Sequence, residues 1–180
     1  MRRNAIKSRR SMSAAERSAA STLIARKLIR CHEFAAARHI GCYLPMDDEV
    51  DPTLVITRAW RAKKRVFCPV TDLRGGMIFR QLRPDTTLER NHYGIWEPVA
   101  TDEIAAPNLD LVVTPLVAYD DEGRRIGMGG GYFDRCFAFL KHRRRWLRPK
   151  LFGVAFDCQK VEKIVPNPWD IRLYRVISEK

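Results

Sequence analysis

The chain has 180 residues, 46% of them hydrophobic, and a formal net charge of +12, a length and composition that suit one globular domain with a substantial core. No apolar run reaches the roughly eighteen residues of a membrane helix, and the basic start MRRNAIKSRRSM lacks the apolar stretch of a signal peptide. Cys31, Cys42, Cys68, Cys136 and Cys158 are scattered without a CxxC pair, so neither a zinc site nor a disulfide framework is suggested and a reducing cytoplasm fits best.

The first dozen residues form a basic arm carrying Arg3, Lys7, Arg9 and Arg10. Ser13 followed by Glu16 reads as a capping box, opening a helix that runs to about Cys31 with Leu23, Ile24, Leu28 and Ile29 as its apolar stripe. His39 to Leu44 reads as the first strand, and the loop PMDDEVDP leads into a helix from Pro52 to Lys64. Glu49 falls past the end of that strand, where α/β sheets present ligand groups. The competing reading is that Asp47, Asp48 and Glu49 make a solvated polar loop. Arg65 to Val70 and Met77 to Leu82 read as strands joined by a turn at Arg74, Gly75 and Gly76. From Pro84 to Asn108 the pattern is weak apart from YGIWEP, where Tyr93 or Trp96 stacks on a flat ring, or Trp96 simply plugs the core.

Leu111 to Pro115 is a buried strand, followed by a turn through Asp120, Asp121, Glu122 and Gly123 and a loop with Gly127, Gly129, Gly130 and Gly131. The loop is no dinucleotide fingerprint, because Tyr132 stands where the third glycine belongs, and no Walker A loop, because Gly-Lys-Ser/Thr is absent. Arg124 and Arg125 precede it, Tyr132 and Phe133 close it, and Asp134 and Arg135 follow. Cations and bare amides suit phosphate, an aromatic face suits a flat ring, and a carboxylate suits Mg²⁺. The plain alternative is a tight strand-to-helix turn. The helix after it carries Phe133, Phe137 and Leu140 on a core-facing stripe, and the basic run KHRRRWLRPK (Lys141 to Lys150) reads as its solvated C-terminal end. A nucleic-acid stripe is the less favoured reading of that run. Leu151 to Phe156 is another strand. Strands near 39, 66, 111 and 152 alternate with helical patterns, which predicts an α/β fold: three layers, a mixed, mostly parallel sheet with helices on both faces, and one domain over residues 1–180. His32, His39, His92 and His142 are scattered singly and none is assigned catalysis.

From Pro115 to Asp134, PLVAYDDEGRRIGMGGGYFD resembles the motif of the 5-formyltetrahydrofolate cyclo-ligases, also called methenyltetrahydrofolate synthetases. The resemblance extends to AIKSRRSMSAAER, YLPMDDEVD and GVAFDCQKVEKIVPNPWD, and so to most of the chain. It implies the same three-layer fold and an ATP- and Mg²⁺-dependent closure of 5-formyltetrahydrofolate to 5,10-methenyltetrahydrofolate, with ADP and phosphate released through a phosphorylated formyl group.

The resemblance places Arg3, Lys7, Arg125, Ile126, Gly127, Met128, Gly129, Gly130, Gly131, Tyr132 and Phe133 on ATP, with Arg125 and Tyr132 as the catalytic pair. Leu44, Glu49, Trp96, Met128, the three glycines from Gly129 to Gly131, and Tyr132 fall on the folate. Asp134 and Asp170 fall on Mg²⁺, although Asp170 also reads as a residue that starts a turn. There are two departures. The family often has a Lys where Gly130 stands, so Arg124, Arg125 or Arg135 must supply more of the charge, and it usually has a further Lys before the position of Arg3. The implied partners are ATP and a reduced folate, polyglutamylated forms included, with no membrane and a monomer favoured. The runner-up is an ATP-dependent enzyme of the same fold acting on another substrate.

Overall fold

The computed structural model describes residues 1–72, 75–143 and 148–180. In chain order it forms helices α1 (Arg2–Ser11), α2 (Ala14–Ile29) and α3 (His32–Ala36), strand β1 (His39–Cys42), helix α4 (Thr53–Arg61), and strands β2 (Arg65–Thr71) and β3 (Met77–Leu82). A hairpin of β4 (Leu88–Arg90) and β5 (Trp96–Pro98) and the short β6 (Glu103–Ile104) lead to β7 (Leu111–Pro115). A second hairpin, β8 (Ala118–Tyr119) and β9 (Arg125–Ile126), precedes helix α5 (Tyr132–Cys136), a 3₁₀ turn at Ala138–His142, and strands β10 (Lys150–Val154) and β11 (Arg175–Ile177).

Seven strands form one sheet in the order β11-β10-β7-β1-β2-β3-β6. The run from β11 to β2 is parallel, while β3 pairs antiparallel with β2 and β6 antiparallel with β3. Successive strand side chains point to opposite faces, so strands covered on both sides are apolar throughout. Ile40, Cys42, Val66, Cys68, Leu111, Val113, Phe152 and Val154 face a layer made by α2, α3 and α4, where Ile24, Leu28, Phe34, Val55 and Ile56 are buried. Phe67, Val112 and Leu151 face the other way, against Leu109, Phe137, Ile171 and Leu173. The expected three-layer, mostly parallel architecture is the observed one.

The chain leaves β1 through α4 to β2 on one side and returns to β7 on the other, so the order reverses between β1 and β7. Loops after the C-terminal ends of these two strands therefore diverge around a crevice, the place where open α/β sheets bind ligands.

The predicted elements hold with four adjustments. The capping box of Ser13 and Glu16 is present, but α2 turns Ala20, Ile24, Ala25 and Leu28 inward and leaves Leu23 outside, 47% exposed. The basic arm is itself a helix, α1. The helix at Tyr132 ends at Cys136 and tightens into a 3₁₀ turn, because Tyr132 to Phe139 is mostly aromatic, Asp and Cys, all weaker helix formers than Ala or Leu. The basic run after it is thus no long helix end. Lys141 donates to the Pro168 carbonyl, Arg143 to that of Arg148, Arg148 to Asp110 and Lys150 to Glu33. Arg144 to Leu147 of that run, and Arg74 of the predicted β2–β3 turn, lie outside the described residues.

Gly153 shows how tightly the second layer closes on the sheet. A Cβ there meets Leu173 Cδ1 at 2.6 Å and Leu116 Cδ2 at 2.8 Å. Gly153→Ala is expected to lower unfolding free energy by about 1–3 kcal/mol through overpacking; the urea midpoint, at unchanged slope, reads it, and an unshifted midpoint contradicts the packing argument.

Candidate active site

The glycine loop owes its shape to groups behind it. Asp120 is buried, and its carboxylate accepts the backbone N–H groups of Glu122 and Arg124 through one oxygen and of Ile164 through the other. Burial alone raises such a carboxyl, but these three donors and the Arg124 charge outweigh it and hold Asp120 below its usual range. Gly123 completes the turn at φ +74°, a backbone state that suits glycine. Gln159, also buried, donates to the Leu116 and Val117 carbonyls and accepts from Phe156 N–H. The turn is therefore fixed before any ligand arrives.

Past β9, Gly127, Met128, Gly129 and Gly130 are exposed. None of the N–H groups from Gly127 to Gly131 donates to another described residue. Gly129 at φ +112° and Gly131 at φ +65° need glycine, and a Cβ on Gly130 meets the Tyr132 ring at 2.8 Å. Helix α5 is too short for a useful dipole, so any anion binding here rests on the loop amides and nearby cations.

Those cations come from α1. Arg2, Ala5 and Arg9 share the inward face: Arg2 Nε donates to the Gly127 carbonyl at 2.9 Å, and Ala5 packs on Val117 and Ala118. Arg3 and Lys7, one turn apart on a neighbouring face, are exposed and pair with no described residue. Of the cations on α1, Arg2 is the one that meets the glycine loop. Sequence reading passed over Arg2; its i, i+3, i+7 spacing with Ala5 and Arg9 was the available signal.

Arg125 and Asp134 were expected to act separately, on phosphate and metal, yet they hold each other. Arg125 Nη2 meets Asp134 Oδ1 at 2.7 Å with the arginine side chain only 5% exposed. Arg125 Nη1 donates to the Ile171 carbonyl, while Ile171 N–H returns a bond to Asp134 Oδ1 at 3.0 Å. This ring ties the loop's two ends to the C-terminal segment. Asp134 Oδ2 accepts from no described residue. Asp170, next to Ile171, receives both N–H and Nδ2 of Asn167 on Oδ2, the turn geometry that was the alternative reading.

No group of three or more His, Cys, Asp or Glu suited to a metal occurs among the described residues. Asp134, with Oδ2 clear of described donors, has the carboxylate chemistry that Mg²⁺ takes alongside phosphate oxygens and water.

Tyr132 meets Tyr93 through their hydroxyls at 3.0 Å, with the rings edge-on, and the Arg135 guanidinium lies 5.1 Å from the Tyr132 ring centre. The Tyr93 hydroxyl pushes the Tyr132 phenol above its usual range, so at neutral pH Tyr132 is a hydroxyl, not a phenolate. Tyr93 reaches the loop because Glu97 binds Thr71 N–H, Thr71 Oγ1 and Asn91 Nδ2, pinning the β4–β5 hairpin to the end of β2. Trp96 lies elsewhere on that hairpin, 44% exposed, under the Arg90 guanidinium at 4.8 Å. At that exposure it does not plug the core. Phe133 packs on Phe137 and Ile126 pairs in β9, so both support the loop from below.

Glu49 lies across the crevice, seven residues after β1, with its side chain 7% exposed and its Oε2 accepting Met46 N–H at 3.1 Å. Leu44 is half-buried against the core beneath it. Burial pushes the Glu49 carboxyl up, and the Met46 N–H and the Arg9 charge bring it only part of the way back. A cavity of about 240 Å³ beside it is lined by Arg17, Ser18, Ser21, Asp47 and Asp51 as well as Glu49. The solvated-loop reading fails for Glu49, whose side chain is buried, and holds for Asp47, which is exposed.

Two stability measurements test this geometry. Arg125→Ala strands the Asp134 carboxylate and is expected to cost roughly 2–4 kcal/mol in urea unfolding, so the fold is not indifferent to this residue; a loss below about 1 kcal/mol contradicts the clamp. For Glu49 the sign follows from a folded-state pKa raised above 4.5. Between those two values the unfolded chain has released a proton that the native state keeps, so stability falls as pH rises through that window. Glu49→Gln removes this penalty. It should match or exceed the parent's stability at neutral pH, with the gap closing on acidification below about pH 4.5, and a gap that does not vary with pH overturns the burial argument.

The sequence model of the 5-formyltetrahydrofolate cyclo-ligase family matches residues 1–179. The chain is 30% identical over 177 residues to the 5-formyltetrahydrofolate cyclo-ligase of Haemophilus influenzae, covering 95% of this chain and 91% of that one. It is 37% identical over 146 residues to the Escherichia coli K12 protein of the same name, covering 79% and 78%. The solution structure of Aquifex aeolicus 5,10-methenyltetrahydrofolate synthetase superposes with a TM-score of 0.84 at 28% identity, over 99% of this chain and 88% of that one. A Mycoplasma pneumoniae 5,10-methenyltetrahydrofolate synthetase shares the fold, with a TM-score of 0.78 at 23% identity, over 99% and 96%. With its glycine loop, its basic helix and its buried Glu49 at one edge of this sheet, the chain belongs to the 5-formyltetrahydrofolate cyclo-ligase family.

Proposed function

We propose that this chain closes 5-formyltetrahydrofolate to 5,10-methenyltetrahydrofolate at the expense of ATP. The observation that carries the reading is the convergence, at one edge of the sheet, of a loop with unspent amides and a buried acceptor carboxylate, joined by one basic helix. A triphosphate needs the first and a pterin ring the second: its adjacent N–H donors can share one carboxylate.

The chemistry asks for positioning and charge neutralisation more than for a covalent nucleophile. The formyl oxygen attacks the γ-phosphorus, ADP leaves, N10 attacks the activated formyl carbon, and phosphate departs with that oxygen as N10 loses its proton. In this site the amides from Gly127 to Gly131 bind phosphate oxygens, and Arg2, Arg3 and Lys7 balance their charge. That assignment takes over from Arg125, whose guanidinium is spent on Asp134 and Ile171 and whose role becomes holding the loop. Asp134, through Oδ2, and Asp170 would hold Mg²⁺, which when bound neutralises charge on the phosphates. Tyr132 donates its hydroxyl to the folate side, with Tyr93 orienting it, and Glu49 accepts from the pterin. Leu44 and Met128 line the space between.

The four described cations of the basic run near residues 141–150 all have protein partners, which favours small anionic substrates over a nucleic-acid stripe. The test is near-ultraviolet absorbance of the purified protein with Mg-ATP and 5-formyltetrahydrofolate. Growth of the methenyl band that stops when ATP is omitted is the expected result; no band, with ATP binding shown separately, moves the reading to another substrate on the same loop.

A further inference from the structure

Arg9 is 3% exposed. A guanidinium keeps its charge under all ordinary conditions, so burying one requires compensation. Arg9 Nε and Nη2 both donate to Asp48 Oδ2, at 3.3 and 3.0 Å, and Arg10 Nε adds a third bond to the same oxygen at 3.1 Å. Its remaining nitrogen, Nη1, lies 3.9 Å from Glu49 Oε1. That separation is close enough for a strong Coulomb interaction and too long for a hydrogen bond. Glu49 Oε2 is taken by Met46 N–H, while Oε1 accepts from no described residue. Arg9 thus places a positive charge beside Glu49 without consuming the lone pairs a ligand would use.

We propose that Arg9 is a positioning residue for folate recognition: anchored on Asp48, it keeps Glu49 charged and its Oε1 open to the N–H donors of the pterin ring. The inference rests on the folate reading of Glu49 given above. The groups facing Glu49 are few. Asp48 and the Met46 N–H share its loop, Tyr43 stands at the end of β1 with its phenol raised by burial and by the Glu49 charge, Arg9 comes from α1, and Arg17, Asp47 and Asp51 line the adjoining cavity. Burial favours the neutral acid at Glu49, and Arg9 is the cation that opposes it.

The geometry separates Arg9 from a merely structural arginine. Charge removed at residue 9 raises the Glu49 pKa further, so the acid limb of kcat/KM for 5-formyltetrahydrofolate moves to higher pH. Charge retained leaves the limb in place. Asp48 matters for a different reason: without its anchor the guanidinium is free to close the 3.9 Å gap and occupy Oε1 itself.

The experiment is a set of pH–rate profiles for the parent, Arg9→Gln, Arg9→Lys and Asp48→Asn, with KM measured separately for the folate and for Mg-ATP. Arg9→Gln is expected to raise the folate KM roughly tenfold or more at neutral pH, to leave the Mg-ATP KM near the parent's, and to shift the acid limb upward. Arg9→Lys should restore the limb's position. If Arg9→Gln does not fold, Asp48→Asn decides: a raised folate KM with unchanged Mg-ATP KM supports the role. A folded Arg9→Gln or Asp48→Asn with the parent's folate KM and profile overturns it. Failure of the parent to make the methenyl product refutes the proposed function instead, so the two failures are distinguishable.

Discussion

The Asp134 carboxylate meets the Arg125 guanidinium and the Ile171 N–H on one oxygen, and the glycine loop depends on that junction. The N–H groups of residues 127 to 131 donate to no described residue and so do little to hold the loop in place. Their geometry is imposed from the two ends: Asp120 and Gly123 on the near side, Asp134 on the far side, and the segment from Gln159 to Leu173 behind both. The most open part of the site is thus carried on one of the most densely bonded parts of the molecule, which limits the entropy that ligand binding must overcome.

Helix α1 explains how two distant loops become one site. Its inward face carries Arg2 on the Gly127 carbonyl, Ala5 on the strand below the loop and Arg9 on the Asp48–Glu49 pair. A helix rises about 1.5 Å per residue, so seven residues between Arg2 and Arg9 set the glycine-loop end and the Glu49 end roughly 10 Å apart along its axis. Arg3 and Lys7 face outward from the same strut. The net charge of +12 is therefore not spread evenly in effect, since many cations, Arg9 and Arg10 of α1 among them, are held by carbonyls and carboxylates, while Arg3 and Lys7 of α1 pair with no described residue.

The layers were legible in the sequence because unbroken apolar strands of β-branched and aromatic residues separated by helical periodicity have few other solutions. Glu49 was placeable from the strand before it and from the family motif. What the sequence could not show was pairing at a distance. Arg125 and Asp134 look like independent charges along the chain, and only folding makes them partners, which turns two expected ligand groups into a clamp. Tyr93 and Trp96 were alike as candidate ring contacts in the sequence; folding brings the Tyr93 hydroxyl to Tyr132 and lays Trp96 under the Arg90 guanidinium. The helix after the glycine loop was overread because its apolar spacing continues into a 3₁₀ turn, where the same residues still reach the core.

The contrast between Arg125 and Arg9 shows how a buried guanidinium divides its capacity. Arg125 spends its hydrogen bonds on the carboxylate it faces, and that carboxylate is left one oxygen for other use. Arg9 spends its hydrogen bonds on Asp48 and gives Glu49 only its field. A field acts over several ångströms where the surroundings are poorly polarisable, whereas a hydrogen bond needs contact. A site that must present an ionised acceptor from a buried position is served better by the second arrangement, because the charge is compensated before the ligand arrives and the lone pairs remain for the ligand to use.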